Sequence, residues 1–214
     1  REWNDIPAAT RNAEMGLDLC KQWGQADVLA YGYTEVAKVR QATGDREGAR
    51  EAVDQGLRLA RTVPPWPGVH LAAEAARLWL AQGNLAAAVR WVRESDLDAH
   101  DPVGFQHLFR YKVLARLLMA QGACEEAGAL LARLLDVAEA AGAGGDVVEI
   151  AVLQALALRA QRRMDPARTA LERALWLAEP EGYVRTFIEE GAPMGDLLQQ
   201  ATVRGLQVRY VRQL

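Results

Sequence analysis

The run Val39-Arg40-Gln41-Ala42-Thr43-Gly44-Asp45 closes one helical pattern on a glycine and opens the next on an acidic residue. Arg77–Asn84 and Arg116–Ala123 repeat it with breaks at Gly83 and Gly122, each 39 residues after the last. Leu158–Met164 follows one residue out of phase and has Arg162 at the break in place of glycine. Five residues past each break stands an alanine: Ala49, Ala88, Ala127 and Ala167. Seven residues before each stands another: Ala37, Ala76, Ala115 and Ala155. Such columns mark helices that cross so closely that only a methyl group fits between the backbones. Nine residues past the breaks, Val53, Val92, Leu131 and Leu171 seal the pair. A period of this length, built on paired helices, is the signature of a helical-repeat architecture.

The columns resemble the tetratricopeptide consensus of a large residue, a small residue, a turn glycine and a second small residue. Tyr33 and Tyr111 fill its aromatic column, whereas Ala72 and Ala151 depart from it, and the period exceeds the usual 34. The expected fold is all-α: a right-handed superhelix of about four and a half tetratricopeptide-like hairpins with C-terminal capping helices. Residues 1–179 form the solenoid and 180–214 the capping helices of the same domain.

Breakers between the periodic stretches set the boundaries. A helix near 7–22 is the second half of a hairpin, and pairs follow near 25–43 and 45–61, 67–82 and 84–95, 104–121 and 123–141, and 145–161 and 166–179. Pro64-Pro65-Trp66-Pro67-Gly68 cannot continue a helix. Asp101-Pro102 and Asp165-Pro166 read as caps followed by a first-turn proline, and Gly142 then Asp146 as a C-cap and a fresh N-cap. Trp79 falls on a packing face, while Trp66 is expected in the open. The tail from Leu206 to Leu214 reads as helix, and Trp3 and Ile6 are candidates for an apolar end face that could self-associate.

Composition sets outer bounds. The chain has 214 residues, 50% hydrophobic and 25% charged, with net charge −3, which argues against gripping nucleic acid by itself. Cys20 and Cys124 are expected as reduced thiols. His70, His100 and His107 show no metal-ligand spacing, Ser95 is the only serine, and the pairs Glu125-Glu126 and Glu189-Glu190 diverge on a helix like solvated faces. No catalytic residue, metal ligand or cofactor is expected in this fragment, and no membrane span.

Glu179–Arg185 (Glu-Pro-Glu-Gly-Tyr-Val-Arg) and Glu190–Met194 (Glu-Gly-Ala-Pro-Met), within Leu171–Leu198, resemble the end of the sensor domain in MalT-like transcription activators with LuxR-type DNA-binding ends. Gly16–Gly24 is similar to that family's opening hairpin. The resemblance implies a cytoplasmic multidomain regulator, with an ATP-binding switch upstream and a helix-turn-helix downstream, whose repeat domain answers an inducer or a regulatory protein. Neither a phosphate loop nor a helix-turn-helix pattern lies within the 214 residues. The alternative is a stand-alone tetratricopeptide adaptor for a peptide or protein.

In a curved stack the first helix of each pair lines the concave side. That register places Tyr31, Thr34 and Lys38, then His70, Ala73 and Arg77, then Phe109, Lys112 and Arg116, then Glu149, Val152 and Arg159 along one stripe. The expectation is a mixed aromatic and basic surface. Arg77, Lys112 and Arg116 would bind an anionic or hydroxyl-rich ligand there, with Tyr31 and Phe109 as stacking faces.

Overall fold

A computed structural model describes residues 4–62, 65–204 and 207–214. Trp3, Pro64 and Leu206 lie outside those residues, as does the side chain of Trp66. The described residues form α-helices and one short 3-10 turn, with no strand. The helices are α1 (Ile6–Trp23), α2 (Ala26–Thr43), α3 (Arg46–Ala60), α4 (Pro65–Ala81), α5 (Leu85–Glu94), α6 (Leu108–Ala120), α7 (Cys124–Ala140), α8 (Gly144–Ala160), α9 (Met164–Ala178), α10 (Arg185–Ile188), α11 (Ala192–Val203) and α12 (Val208–Val211).

The hairpin breaks share one geometry. Gly44, Gly83 and Gly122 have φ of 86°, 78° and 83°, the left-handed conformation that costs glycine nothing. The amide after each donates five residues back: Asp45 to the Arg40 carbonyl at 2.9 Å, Asn84 to Trp79 at 2.8 Å, and Ala123 to Leu118 at 2.9 Å. At the fourth break the backbone holds the same shape without the glycine. Arg162 has φ 62°, and Arg163 N–H closes the turn onto Leu158 at 2.9 Å. Asp45 and Asn84 then cap the next helix, accepting from Gly48 N–H at 2.9 Å and Ala87 N–H at 3.2 Å.

All eight column alanines are buried, with Ala49, Ala88, Ala127 and Ala167 among the most deeply placed. In the sealing column Val53, Leu131 and Leu171 are buried, but Val92 is only half-buried, and its neighbour Trp91 fills the core of that hairpin. Trp79 is half-buried against the core formed by Val36, Ala37, Ala49 and Val53.

The chain divides into two compact units, Asp5–Asp96 and Leu97–Leu214. In the first, the hairpins α2–α3 and α4–α5 stack with α2 against α4, and α1 packs on α2. In the second, α6–α7 and α8–α9 stack with α6 against α8, and α10 and α11 close onto α8 and α9. Helices α2, α4, α6 and α8 are first-type; α1, α3, α5, α7 and α9 are second-type.

Glu179–Met194 builds the closing element. Gly182 and Gly191 take positive φ, 68° and 69°; Phe187 between them and Met194 just beyond are fully buried. The Tyr183 hydroxyl lies 2.9 Å from where a Cβ on Gly145 would stand, so a side chain there would push the Tyr183 ring tip aside. The Tyr210 hydroxyl donates to the Tyr183 carbonyl, tying α12 to the same spot.

Three cap assignments are corrected. Asp101 starts no helix: α6 begins at Leu108 after a 3-10 turn at Phe105–His107, and Asp101 instead accepts from Asp98 N–H and the Tyr111 hydroxyl, both at 2.9 Å. Burial and that bond push the Tyr111 hydroxyl up to about 12. Asp165 lies inside the first turn of α9, next to Arg168 at 3.2 Å. Asp146 lies inside the first turn of α8, where it serves Lys112.

Candidate functional site

The predicted stripe falls on the first-type helices, and each unit carries its own portion. In Asp5–Asp96, Tyr31 and His70 face each other across α2 and α4, with ring centroids 6.0 Å apart. One turn on, Lys38 reaches from α2 to Glu74 of α4 at 3.0 Å while holding Glu35 of its own helix at 2.8 Å. Arg77 closes on the other oxygen of Glu74 at 3.1 Å. Burial by itself would raise the Glu74 carboxyl. The charges and hydrogen bonds of Arg77 and Lys38 outweigh that and hold it below the ordinary carboxylate value. Burial lowers His70, which keeps its imidazole neutral at pH 7. Burial also raises the Tyr31 phenol, with Asp27 adding to it.

In Leu97–Leu214 the arrangement is denser. Lys112 is 3% exposed, and its ammonium sits between Asp146, at 2.7 Å, and Glu149 of α8. The same ammonium lies 5.9 Å from the Phe109 ring centroid. Arg116, a turn further, bridges Glu149 at 2.9 Å and Glu190 of the closing element at 2.7 Å. Beside it Arg185 pairs with Glu189 at 3.1 Å. Two cations and three carboxylates thus join α6, α8 and the segment after α10.

Four members of the stripe do not reach a surface where a ligand could meet them by side chain. Thr34 is buried and donates to the Ala30 carbonyl at 3.1 Å; Lys112 is buried as described. Ala73 and Val152 are core residues. Arg159 stands three residues past the column that Lys38, Arg77 and Arg116 define; that column continues in Leu156. It pairs with Asp196 of α11 at 2.5 Å.

The surface read as aromatic and basic is therefore charge-compensated, because each named cation has a carboxylate on a neighbouring turn or helix. The sequence places Glu149 on the stripe but does not disclose its pairing with Lys112 and Arg116, and it leaves Glu74, Asp146, Glu190 and Asp196 off the stripe. Glu74 stands three residues before Arg77, a spacing that pairs charges on a helix, so it was findable. Glu190 was read as solvated and is instead half-buried against Arg116, a partner 74 residues away that no local pattern reveals.

A separate depression of about 500 Å³ between α7 and α8 is lined by Gln154, Leu158, Gln161 and Arg163 and holds none of the predicted residues. Among the described residues no group of histidines, cysteines and carboxylates could hold a metal ion, and no helix is long and apolar enough to cross a membrane.

Comparison with known proteins adds three findings. The family description "MalT-like TPR region" matches residues 1–204. A relative from Vibrio campbellii, the HTH-type transcriptional regulator MalT, is 24% identical over 204 residues. That alignment takes in 94% of this chain but 22% of the relative, so the chain spans about a fifth of the relative's length. Among solved structures, BtubC (BKLC) from P. vanneervenii superposes with a TM-score of 0.60 at 17% identity, over 98% of this chain and 91% of that one, a likeness of fold.

Proposed function

The chain belongs to the MalT-like TPR region family, and on that premise we propose that it is the effector-responsive segment of a cytoplasmic transcriptional regulator, a binding platform and not an enzyme. The observation that carries this reading is the Lys112–Glu149–Arg116–Glu190 network. The closing element is seated by the apolar core around Phe187 and Met194 and tied to α6 and α8 by these ion pairs, so an effector that favours one seating shifts the population toward it. Only such a difference in affinity can drive a switch.

Compensated charge narrows the ligand class. An anion would have to displace carboxylates already seated on Arg77 and Arg116, at the cost of leaving them unpaired. A neutral, hydroxyl-rich molecule can accept and donate at the edges of ion pairs and lie on the half-buried Tyr31 or Phe109 rings.

Reading the coding frame beyond both ends tests the regulator. An ATP-binding module upstream and a helix-turn-helix downstream are expected; a stop codon just after Leu214 with no nucleotide-binding module would overturn it in favour of an adaptor. For the ligand class, a thermal-shift panel of neutral polyols and organic anions should give its largest shift with a polyol, lost in Phe109→Ala. A panel answered by anions alone refutes the assignment.

A further inference from the structure

Every second-type helix from α3 onward packs on the first-type helix before it, whereas α1 packs on α2 after it. The turn into α1 nonetheless has the hairpin form. Asn4 has φ 61°, where Gly44, 40 residues on, has 86°, and Asp5 caps Ala8 N–H at 3.0 Å as Asp45 caps Gly48. In that register Ala8, Ala9 and Gly16 correspond to Gly48, Ala49 and Gly56 of α3.

The three positions in α3 are buried, and Gly56 shows why they are small. A Cβ there would come within 3.3 Å of the Ala30 carbonyl oxygen of α2 and 3.0 Å of Leu71. At Gly16 a Cβ would meet nothing within 4 Å, and Ala8 and Ala9 are only half-buried. Around this small-residue seam run three large apolar side chains at helical spacing: Met15 is 65% exposed, Leu19 63% and Trp23 75%. Leu19 corresponds to Leu59, which packs on the core of Ala30, Ala60 and Leu71.

We infer that this face of α1 is the docking surface for a first-type helix entering the Asn4 turn. That helix would cross at Gly16 as α2 crosses α3 at Gly56, and would cover Leu19 and Trp23. The partner is an amphipathic helix of the repeat's own kind, with a small residue at the crossing and an apolar face toward Leu19. A second copy of the chain fits less well. Three side chains offer a few hundred Å², against the ~800 Å² per partner of a standard stable interface. A helix joined through the Asn4 turn needs no such area, because tethering supplies a high effective concentration.

The test is a fusion that places a second copy of Ala26–Thr43, the sequence of α2, ahead of Asn4 in place of residues 1–3. Acrylamide quenching of Trp23, isolated by difference from Trp23→Phe, should fall about threefold as the ring is covered, and amide exchange along α1 should slow. Gly16→Leu should abolish both changes in the fusion. In the unfused chain it should leave helicity and melting undiminished, since the space there is open. Quenching that is equal with and without the added helix overturns the proposal. So does sedimentation showing concentration-dependent pairing of the unfused chain that is lost in Met15→Ser/Leu19→Ser/Trp23→Ser, which would make a second copy the occupant.

Discussion

Replacing Lys112 by Met keeps the stem's packing and removes the ammonium. Asp146 and Glu149 then lose a shared partner in a site where Lys112 itself is 3% exposed. Breaking a fully buried pair costs about 3–5 kcal/mol. Here the loss is softened, because Glu149 keeps Arg116 at 2.9 Å and the Asp146 side chain is 30% exposed and can rehydrate. The expected cost is roughly 2–3 kcal/mol, by discounting that range for one surviving partner and one wet one. In folding equilibrium this is about 30- to 150-fold, and about 10 °C in the melting of a unit this size. Urea denaturation followed by circular dichroism reads it directly. Adding Asp146→Asn to Lys112→Met should recover about 1 kcal/mol, since the stranded charge is gone. A Lys112→Met variant within 0.5 kcal/mol of the parent would refute the reasoning, because the ammonium would then be solvated and available to a ligand, as the sequence reading first placed it.

Three further outcomes follow from the geometry. Arg162→Gly should stabilise by about 1 kcal/mol, the strain of an L residue at φ 62°, while Gly122→Ala should cost a similar amount; thermal melts of the two variants should shift in opposite directions. Ala127→Leu, at a fully buried helix crossing, should cost at least about 2–3 kcal/mol by overpacking; a neutral result by urea titration would mean that the hairpin opens freely. His70 has a folded pKa below its ordinary 6.5, so the unfolded chain binds the extra proton first. Stability is then lost as pH falls from about 6.5 through the lower folded value, with a second loss in the carboxylate range as Glu74, also lowered, is protonated. His70→Gln should remove the first loss and spare the second in melts taken from pH 8 to pH 3.

What the sequence disclosed was whatever repeats. Turn glycines and crossing alanines recur because each hairpin solves the same steric problem, so the helices could be bounded to within a few residues. Arg162 shows the reach of that logic: the alanine columns locate a break there without a glycine, and the backbone at that break is left-handed like the others. The inner charges were legible only by half. Lys38, Arg77 and Arg116 share a column, and Glu35 and Glu74 stand three residues before the first two, but the partners of Arg116 follow no column: Glu149 lies on the next first-type helix, and Glu190 in a segment outside the repeat. Pairing across helices depends on packing that a one-dimensional pattern does not carry. Asp101 and Asp146 were misread for a related reason, since a side chain that can cap a helix can also accept from a distant tyrosine or lysine.

The sharing of carboxylates bears on how such a protein can change over time. Glu74 answers both to Lys38 of the preceding hairpin and to Arg77 of its own, and Glu149 likewise answers to Lys112 and Arg116. Backbone and alanine columns would let a hairpin be excised or duplicated in a 39-residue step. The charges resist excision, because a cut after Thr43 that rejoins beyond Gln82 takes Glu74 and leaves Lys38 with its own exposed Glu35. Duplicating the same span keeps Glu74 beside both Lys38 and Arg77, so the ion pairs tolerate the gain of a hairpin better than its loss.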